Sequence, residues 1–141
     1  MKKTLLSMTI LLCAFWVSAQ DQGGTEKLAK TLVGKKWKTI AVTEFKSGSS
    51  PVTINSEDKL KASARQMVFE FNSEDVLKCS GSPYSGGFTS WKVISIEEIE
   101  MSKPGKISKV KIMSFSNERL VIKRENPLMR GVEEEITLVP M

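Results

Sequence analysis

The residues able to do chemistry are few, and their spacing does not assemble a catalytic set. The 141-residue chain contains no histidine, which removes the usual general base, the Ser-His-Asp triad and the commonest zinc ligand. Cys13 and Cys79 are the two cysteines, and no Cys-x-x-Cys occurs, so a thiolate metal site is not indicated. Without histidine, Cys79 has no base to activate it. Carboxylates cluster at Glu97, Glu98 and Glu100 and again at Glu133, Glu134 and Glu135. Acid-pair glycoside hydrolysis needs two carboxyl groups facing one cleft, and neighbours along a strand point to opposite faces. Glu98 with Glu100, or Glu133 with Glu135, could share a face and bind calcium. The favoured reading is a solvated strand edge, where charge opposes edge-to-edge aggregation. Gly81-Ser82-Pro83-Tyr84-Ser85-Gly86-Gly87 is glycine-rich but lacks the Gly-Lys-Ser/Thr of a phosphate loop, and reads as a flexible hairpin connection. The expectation is a protein that is not an enzyme, with no catalytic residue, cofactor or metal.

The elements that must position these residues begin after an export signal. Lys2 and Lys3 are followed by an apolar run from Leu5 to Val17, and Val17-Ser18-Ala19 ends in a small residue. This is the pattern of a signal peptide over residues 1–19, cleaved before Gln20. The run is shorter than the ~20 apolar residues a membrane span needs. Cys13 lies inside it, with further apolar residues after it, and reads as filler rather than a lipidation site. Cys79 is then alone in the mature chain, which excludes an internal disulfide; a cysteine within a strand is expected to be buried and inert. The destination is the periplasm or the exterior. Loss of Lys2 and Lys3 lowers the formal net charge from +5 to +3. The remaining basic residues are spread along the chain, with Lys35, Lys36 and Lys38 the densest group. That is not a nucleic-acid footprint.

The mature chain has the length of one domain, and 40% hydrophobic residues supply a core. Residues 20–24 read as a flexible lead and residues 25–141 as the domain. Thr25 is a candidate N-cap, and Leu28, Ala29, Leu32 and Val33 follow at helical spacing until Gly34. A helix this short must lay its apolar stripe on something else. Trp37–Phe45 reads as a strand with Trp37, Thr39, Ala41, Thr43 and Phe45 on one face and Lys38, Ile40, Val42 and Glu44 on the other. Apolar residues occur on both, as in a strand covered on each side. Val52–Ile54 is a short strand, and Ser56–Ala64 is either loop or one helical turn. Arg65–Phe71 alternates cleanly, with Met67, Phe69 and Phe71 together, and forms a hairpin with Val76–Cys79. Phe88–Ile96 is a strand containing Trp91 and Val93. Ile99-Glu100-Met101 either continues it or begins another. Lys103-Pro104-Gly105-Lys106 is a turn. Strands over Ile107–Phe115, Arg119–Arg124 and Val132–Val139 complete seven or eight, at the spacing of an all-β sandwich or barrel.

The opening helix, Gly34-Lys35-Lys36-Trp37 and the run of strands resemble the lipocalin-like barrels, especially small bacterial lipocalin-like domains. Those folds begin with a short helix and a Gly-x-Trp signature; here the spacing is one residue longer. Phe115-Ser116-Asn117-Glu118-Arg119-Leu120-Val121-Ile122 is similar to a late hairpin of that family, and Ile136-Thr137-Leu138-Val139-Pro140 to its last strand. The resemblance covers residues 25–140. It implies an all-β, antiparallel up-and-down barrel of seven to eight strands behind a short helix, with Trp37 plugging one end. It also implies an arginine over that tryptophan, for which Arg119 and Arg124 are the candidates.

Two functions follow as expectations. The first is carriage of a small hydrophobic ligand in the barrel, lined by Trp37, Met67, Phe69, Phe71, Trp91 and Val93. In a small barrel the same residues can simply fill the core. The second is a structural or inhibitor-like module of the cell envelope that meets a protein partner through the long loops Lys46–Ala64 and Ser80–Gly87, with Tyr84 as an exposed anchor. The interior separates them: an apolar void favours the first, and a filled core with exposed apolar residues at the loops favours the second.

Overall fold

A computed structural model describes residues 23–73, 75–81 and 88–141. The expected signal peptide, most of the lead and Tyr84 lie outside the described residues. Helix α1 spans residues 23–32. Strands β1 (Lys36–Lys46) and β2 (Val52–Ile54) are followed by helix α2 (Glu57–Ala62). Seven more strands follow: β3 (Val68–Phe71), β4 (Leu77–Ser80), β5 (Ser90–Ser95), β6 (Glu98–Lys103), β7 (Lys106–Phe115), β8 (Leu120–Glu125) and β9 (Val132–Pro140). Ile99–Met101 therefore belongs to a separate strand, and Ile96-Glu97 is the hairpin turn before it.

All named strand pairs are antiparallel, in the order β4-β3-β1-β9-β8-β7-β6-β5. First and last strands pair from Trp37↔Pro140 to Lys46↔Val132. On its other edge β1 carries β3 against Lys36–Lys38 and β2 against Val42–Glu44. These two are one strand, interrupted by the excursion through α2. The ring is nearly closed between β4 and β5, where Val76 bridges Ser90, Leu77 N–H donates to Thr89 C=O at 3.0 Å and Trp91 N–H donates to Asp75 C=O at 2.9 Å. The result is an eight-position, up-and-down, lipocalin-like barrel with a short helix before it.

Strand β1 departs from the simple alternation. Its register against β9 jumps between Thr39 and Ala41, which leaves Ile40 as an extra, bulged residue. The bulge exchanges the two faces: Trp37 and Thr39 point inward before it, and Val42, not Ala41, is buried after it. The apolar residues on both faces thus report a face change in mid-strand, not a strand covered on both sides. Register also shifts past Ile94 in β5 and Met113 in β7, and all three bulged residues are exposed.

One end of the barrel is closed by α1. Leu28 and Leu32 are fully buried, the Trp37 indole N–H donates to Leu32 C=O at 3.2 Å, and Gly34, at φ +78°, reverses the chain so that its N–H reaches Phe71 C=O. The helix already runs at Gly23, so Thr25 lies within it rather than capping it. Gly24 has a packing role, since a Cβ there would lie 2.4 Å from the Ile96 side chain. Glycine lets the helix sit against the β5–β6 turn.

Helix α2 patches the wall. Between β2 and β3 the edge of β1 around Thr39–Ala41 has no strand beside it, and α2 sends its one buried residue, Leu60, into the cluster that contains the barrel core. Leu60→Ala is expected to cost about 2–5 kcal/mol, measured by urea unfolding. Lys59→Ala on the exposed face should change stability by less than about 0.5 kcal/mol. A Leu60→Ala cost below that limit would show that α2 is an appendage rather than part of the wall.

Candidate binding face at the open end of the barrel

The interior is occupied by side chains. Trp37, Met67, Phe69, Phe71 and Trp91 are buried in one cluster with Ile99, Met101, Val110, Leu120, Ile122, Ile136 and Leu138, and Val93 packs against it half-buried. The Phe71 and Trp91 rings meet edge to face, 5.0 Å between centroids, and the Trp91 indole N–H donates to Asn72 C=O. The structure therefore brings all six predicted interior residues together, as packing partners. Trp37 lies at the α1 end with Phe69 directly opposite it on β3, and Met67 follows beside Thr39.

The end of the barrel away from α1 is polar. Arg124, in phase with Leu120 and Ile122, and Glu134, in phase with Ile136 and Leu138, are direct partners on β8 and β9. Both are buried, at 5% and 3% exposure. Arg124 Nε donates to Glu134 Oε1 at 2.8 Å, and Asn126 Nδ2 donates to Glu134 Oε2 at 3.1 Å. Asn126 Oδ1 in turn accepts the N–H groups of Leu128 and Met129, tying the β8–β9 loop to the buried carboxylate. Arg124 Nη2 reaches Met67 Sδ at 3.5 Å, and the guanidinium lies 6.0 Å from the Phe69 ring centre. Glu44 is opposite Glu134 on β1 and is paired with Arg65 from the α2–β3 connection. A ladder of two cations and two anions thus crosses the inner wall near the mouth.

Above this ladder the end of the barrel is open among the described residues. A cavity of about 310 Å³ is lined by Phe88, Ser108, Arg124 and Asn126 toward its base and by Lys106, Ile107, Leu128 and Arg130 among its other walls. Ile107 and Leu128, both in this lining, are 67% and 63% exposed. A larger groove of about 530 Å³ runs along the outer wall past Ser95, Glu98, Lys111 and Met113. Its lining contains no buried charged residue, and Glu98 is already paired with Lys109 at 3.4 Å. Of these two, the mouth is the one with a buried cation in its lining.

Several sequence expectations change here. Neither candidate arginine sits over Trp37: Lys35 Nζ does, at 5.5 Å, while Arg119 is exposed and Arg124 lies over the ring of Phe69, the cross-strand neighbour of Trp37. The outer carboxylates are cross-strand ion-pair partners, Glu100 with Lys92 at 3.1 Å and Glu133 with Lys123 at 2.7 Å. The hydrogen bond from Lys123 holds the Glu133 carboxyl below its usual range. Glu134, read as part of a solvated run, is the buried exception. The strand period carried the signal, since Glu134 falls two residues before Ile136. Among the described residues no group of His, Cys, Asp and Glu is arranged to hold a metal ion, and no helix is long and apolar enough to cross a membrane.

No known protein family matches the chain, and no curated protein matches it.

Two predictions arise from this end. Removing one partner of a desolvated pair strands the other, whereas replacing both by apolar residues of similar volume is often neutral or better. Glu134→Ala is expected to lose about 3–5 kcal/mol, while Arg124→Met with Glu134→Leu should unfold within about 1 kcal/mol of wild type in the same denaturant titration. Equal losses would mean that the pair is not desolvated. Cys79 lies opposite Phe69 on β4, and burial pushes its thiol up to about 11, with Arg124 pulling weakly the other way. The folded state then holds a proton that the unfolded chain releases near pH 9, so this contribution is intact below pH 9 and is lost as pH rises toward 11. Wild type should lose more stability than Cys79→Ala across that window, and folded Cys79 should resist alkylation at pH 8. Parallel stability curves would refute a protected thiol.

Proposed function

We propose that this is an exported, non-enzymatic binding module that meets a protein partner through the open end of its barrel. The observation that carries the reading is the contrast between the two compartments of the barrel. Its apolar depth is filled by its own side chains, whereas its mouth keeps a cavity rimmed by Ile107 and Leu128, both largely exposed. A barrel presenting loops at one end is a suitable scaffold for recognition. The export pattern of residues 1–19 places such a partner in the periplasm or outside the cell.

A photo-crosslinking residue at position 107 or 128, introduced in the producing cell, is expected to yield a discrete crosslinked product. The same residue at position 94, exposed on the outer wall, should yield none. Crosslinking from position 94 alone would move the interface to the wall groove.

A second reading, carriage of a small hydrophobic molecule, draws on the size of the mouth cavity, which falls at the lower end of small-molecule pockets. Native mass spectrometry of the purified protein separates the two. A protein-partner module runs as the bare chain and ignores a fluorescent fatty acid. A carrier retains an extra mass that denaturation releases and that Ile107→Ser with Leu128→Ser abolishes.

A further inference from the structure

We infer that the mouth selects a partner segment that inserts a carboxylate side chain, an aspartate or glutamate flanked by apolar residues. This inference rests on the open-end reading and names the chemistry of the partner. Arg124 has five N–H donors. Among the described residues, its Nε is bound to Glu134 and one Nη2 donor meets only the weakly accepting sulfur of Met67. Asn126 beside it has its Oδ1 accepting two backbone N–H groups and one of its two Nδ2 donors bound to Glu134. The guanidinium is therefore a buried cation in the cavity lining with donors still to place, and a carboxylate is the acceptor whose geometry fits its edge.

The surroundings point the same way. Lys106 and Arg130 line the mouth against a single lining carboxylate, Glu125. With Glu134 set against Arg124, the mouth keeps a net positive charge. The exposed Ile107 and Leu128 call for apolar cover on either side of the anion. Arg124 is recessed, at 5% exposure, so the anion must stand on an arm able to enter. A side-chain carboxylate carried between two apolar residues meets all three demands. The rim is too exposed for a ligand that fills the cavity alone to cover it.

The test uses isotope-labelled protein, purified as the cell processes it, and three probes: acetyl-Leu-Glu-Leu-amide, its Gln counterpart and hexanoate. Binding is followed by NMR through the Arg124 Nε–H signal and the backbone amides of Ile107, Leu128 and Arg130. The Glu peptide is expected to shift these signals and to bind about tenfold more tightly than the Gln peptide. The preference should vanish in Arg124→Met with Glu134→Leu, whose fold is checked by its thermal melt. Arg130→Gln, at an exposed position, should weaken the Glu peptide more than the Gln peptide. Equal binding of Glu and Gln peptides at the mouth would overturn the carboxylate inference while leaving the open-end interface standing. Hexanoate binding as tightly as the Glu peptide would overturn the peptide source in favour of a small organic acid. Absence of any shift at the mouth would overturn the inference outright, and the crosslinks from positions 107 and 128 would then decide the open-end reading separately.

Discussion

Closure of the sheet is the constraint on which everything else depends. A strand left at an edge exposes unpaired peptide groups, and this chain removes most of its edges by pairing its first long strand with its last, Lys36–Lys46 against Val132–Pro140. A ring of eight strand positions has an interior of limited width, which side chains can fill. Once the seam is set, the register decides which residues face inward. The Ile40 bulge is thus a structural device: without its extra residue, Ala41 and Thr43 would turn into the core and Val42 would turn out. The excursion through α2 is a second adjustment to the same ring. It breaks one strand in two and restores the missing wall with Leu60.

Polarity is graded along the barrel axis. At the α1 end the interior is apolar and covered by Leu28 and Leu32, and the one indole N–H of Trp37 finds a helix carbonyl. At the mouth Arg124, Glu134, Glu44 and Arg65 face one another. Burying such charges without partners would cost several kcal/mol each, and the arrangement answers by giving each of the two adjacent anions its own arginine, one on either side. Glu134 is the best satisfied of the four, with one oxygen on Arg124 and the other on Asn126. That double anchorage fixes the β8–β9 loop, since Asn126 also holds Leu128 and Met129. The loop bearing the exposed Leu128 is therefore tied, through Asn126, to a charge buried beneath it.

Much of this architecture can be read from strand alternation. The clean face of Met67, Phe69 and Phe71 and the shared faces of Leu120 with Ile122 and of Ile136 with Leu138 follow from a period of two, while the helix stop is read from Gly34 itself. The inner face of β1 cannot be read that way, because a single inserted residue inverts the pattern, and the resulting apolar residues on both faces look the same as a strand covered on each side. Gly24 misleads for a different reason: a glycine near a terminus suggests freedom, and here it permits contact with Ile96. The polar mouth was partly legible. Arg124 and Glu134 keep the phase of their apolar neighbours, but Glu134 sits between two glutamates that do face solvent. A run of three acids conceals the one that must be partnered. Tyr84 lies outside the described residues.

The placement of the charges connects scaffold to recognition. A buried ion pair in mid-barrel would satisfy itself and present nothing to the outside. At the mouth, the geometry that lets Glu134 take Nε from one side leaves the far edge of the same guanidinium directed away from the pair. The pair holds Arg124 in one orientation, so little side-chain entropy remains to be lost when an acceptor arrives. Pre-orientation of this kind favours selectivity over bulk affinity. The fixed cation discriminates between an anion and its neutral isostere, and the surrounding Ile107 and Leu128 supply contact area that both would use equally. The apolar core, the charge pair and the rim then have separate tasks: the core keeps the ring filled, the pair aims one cation, and the rim provides the surface that a partner covers.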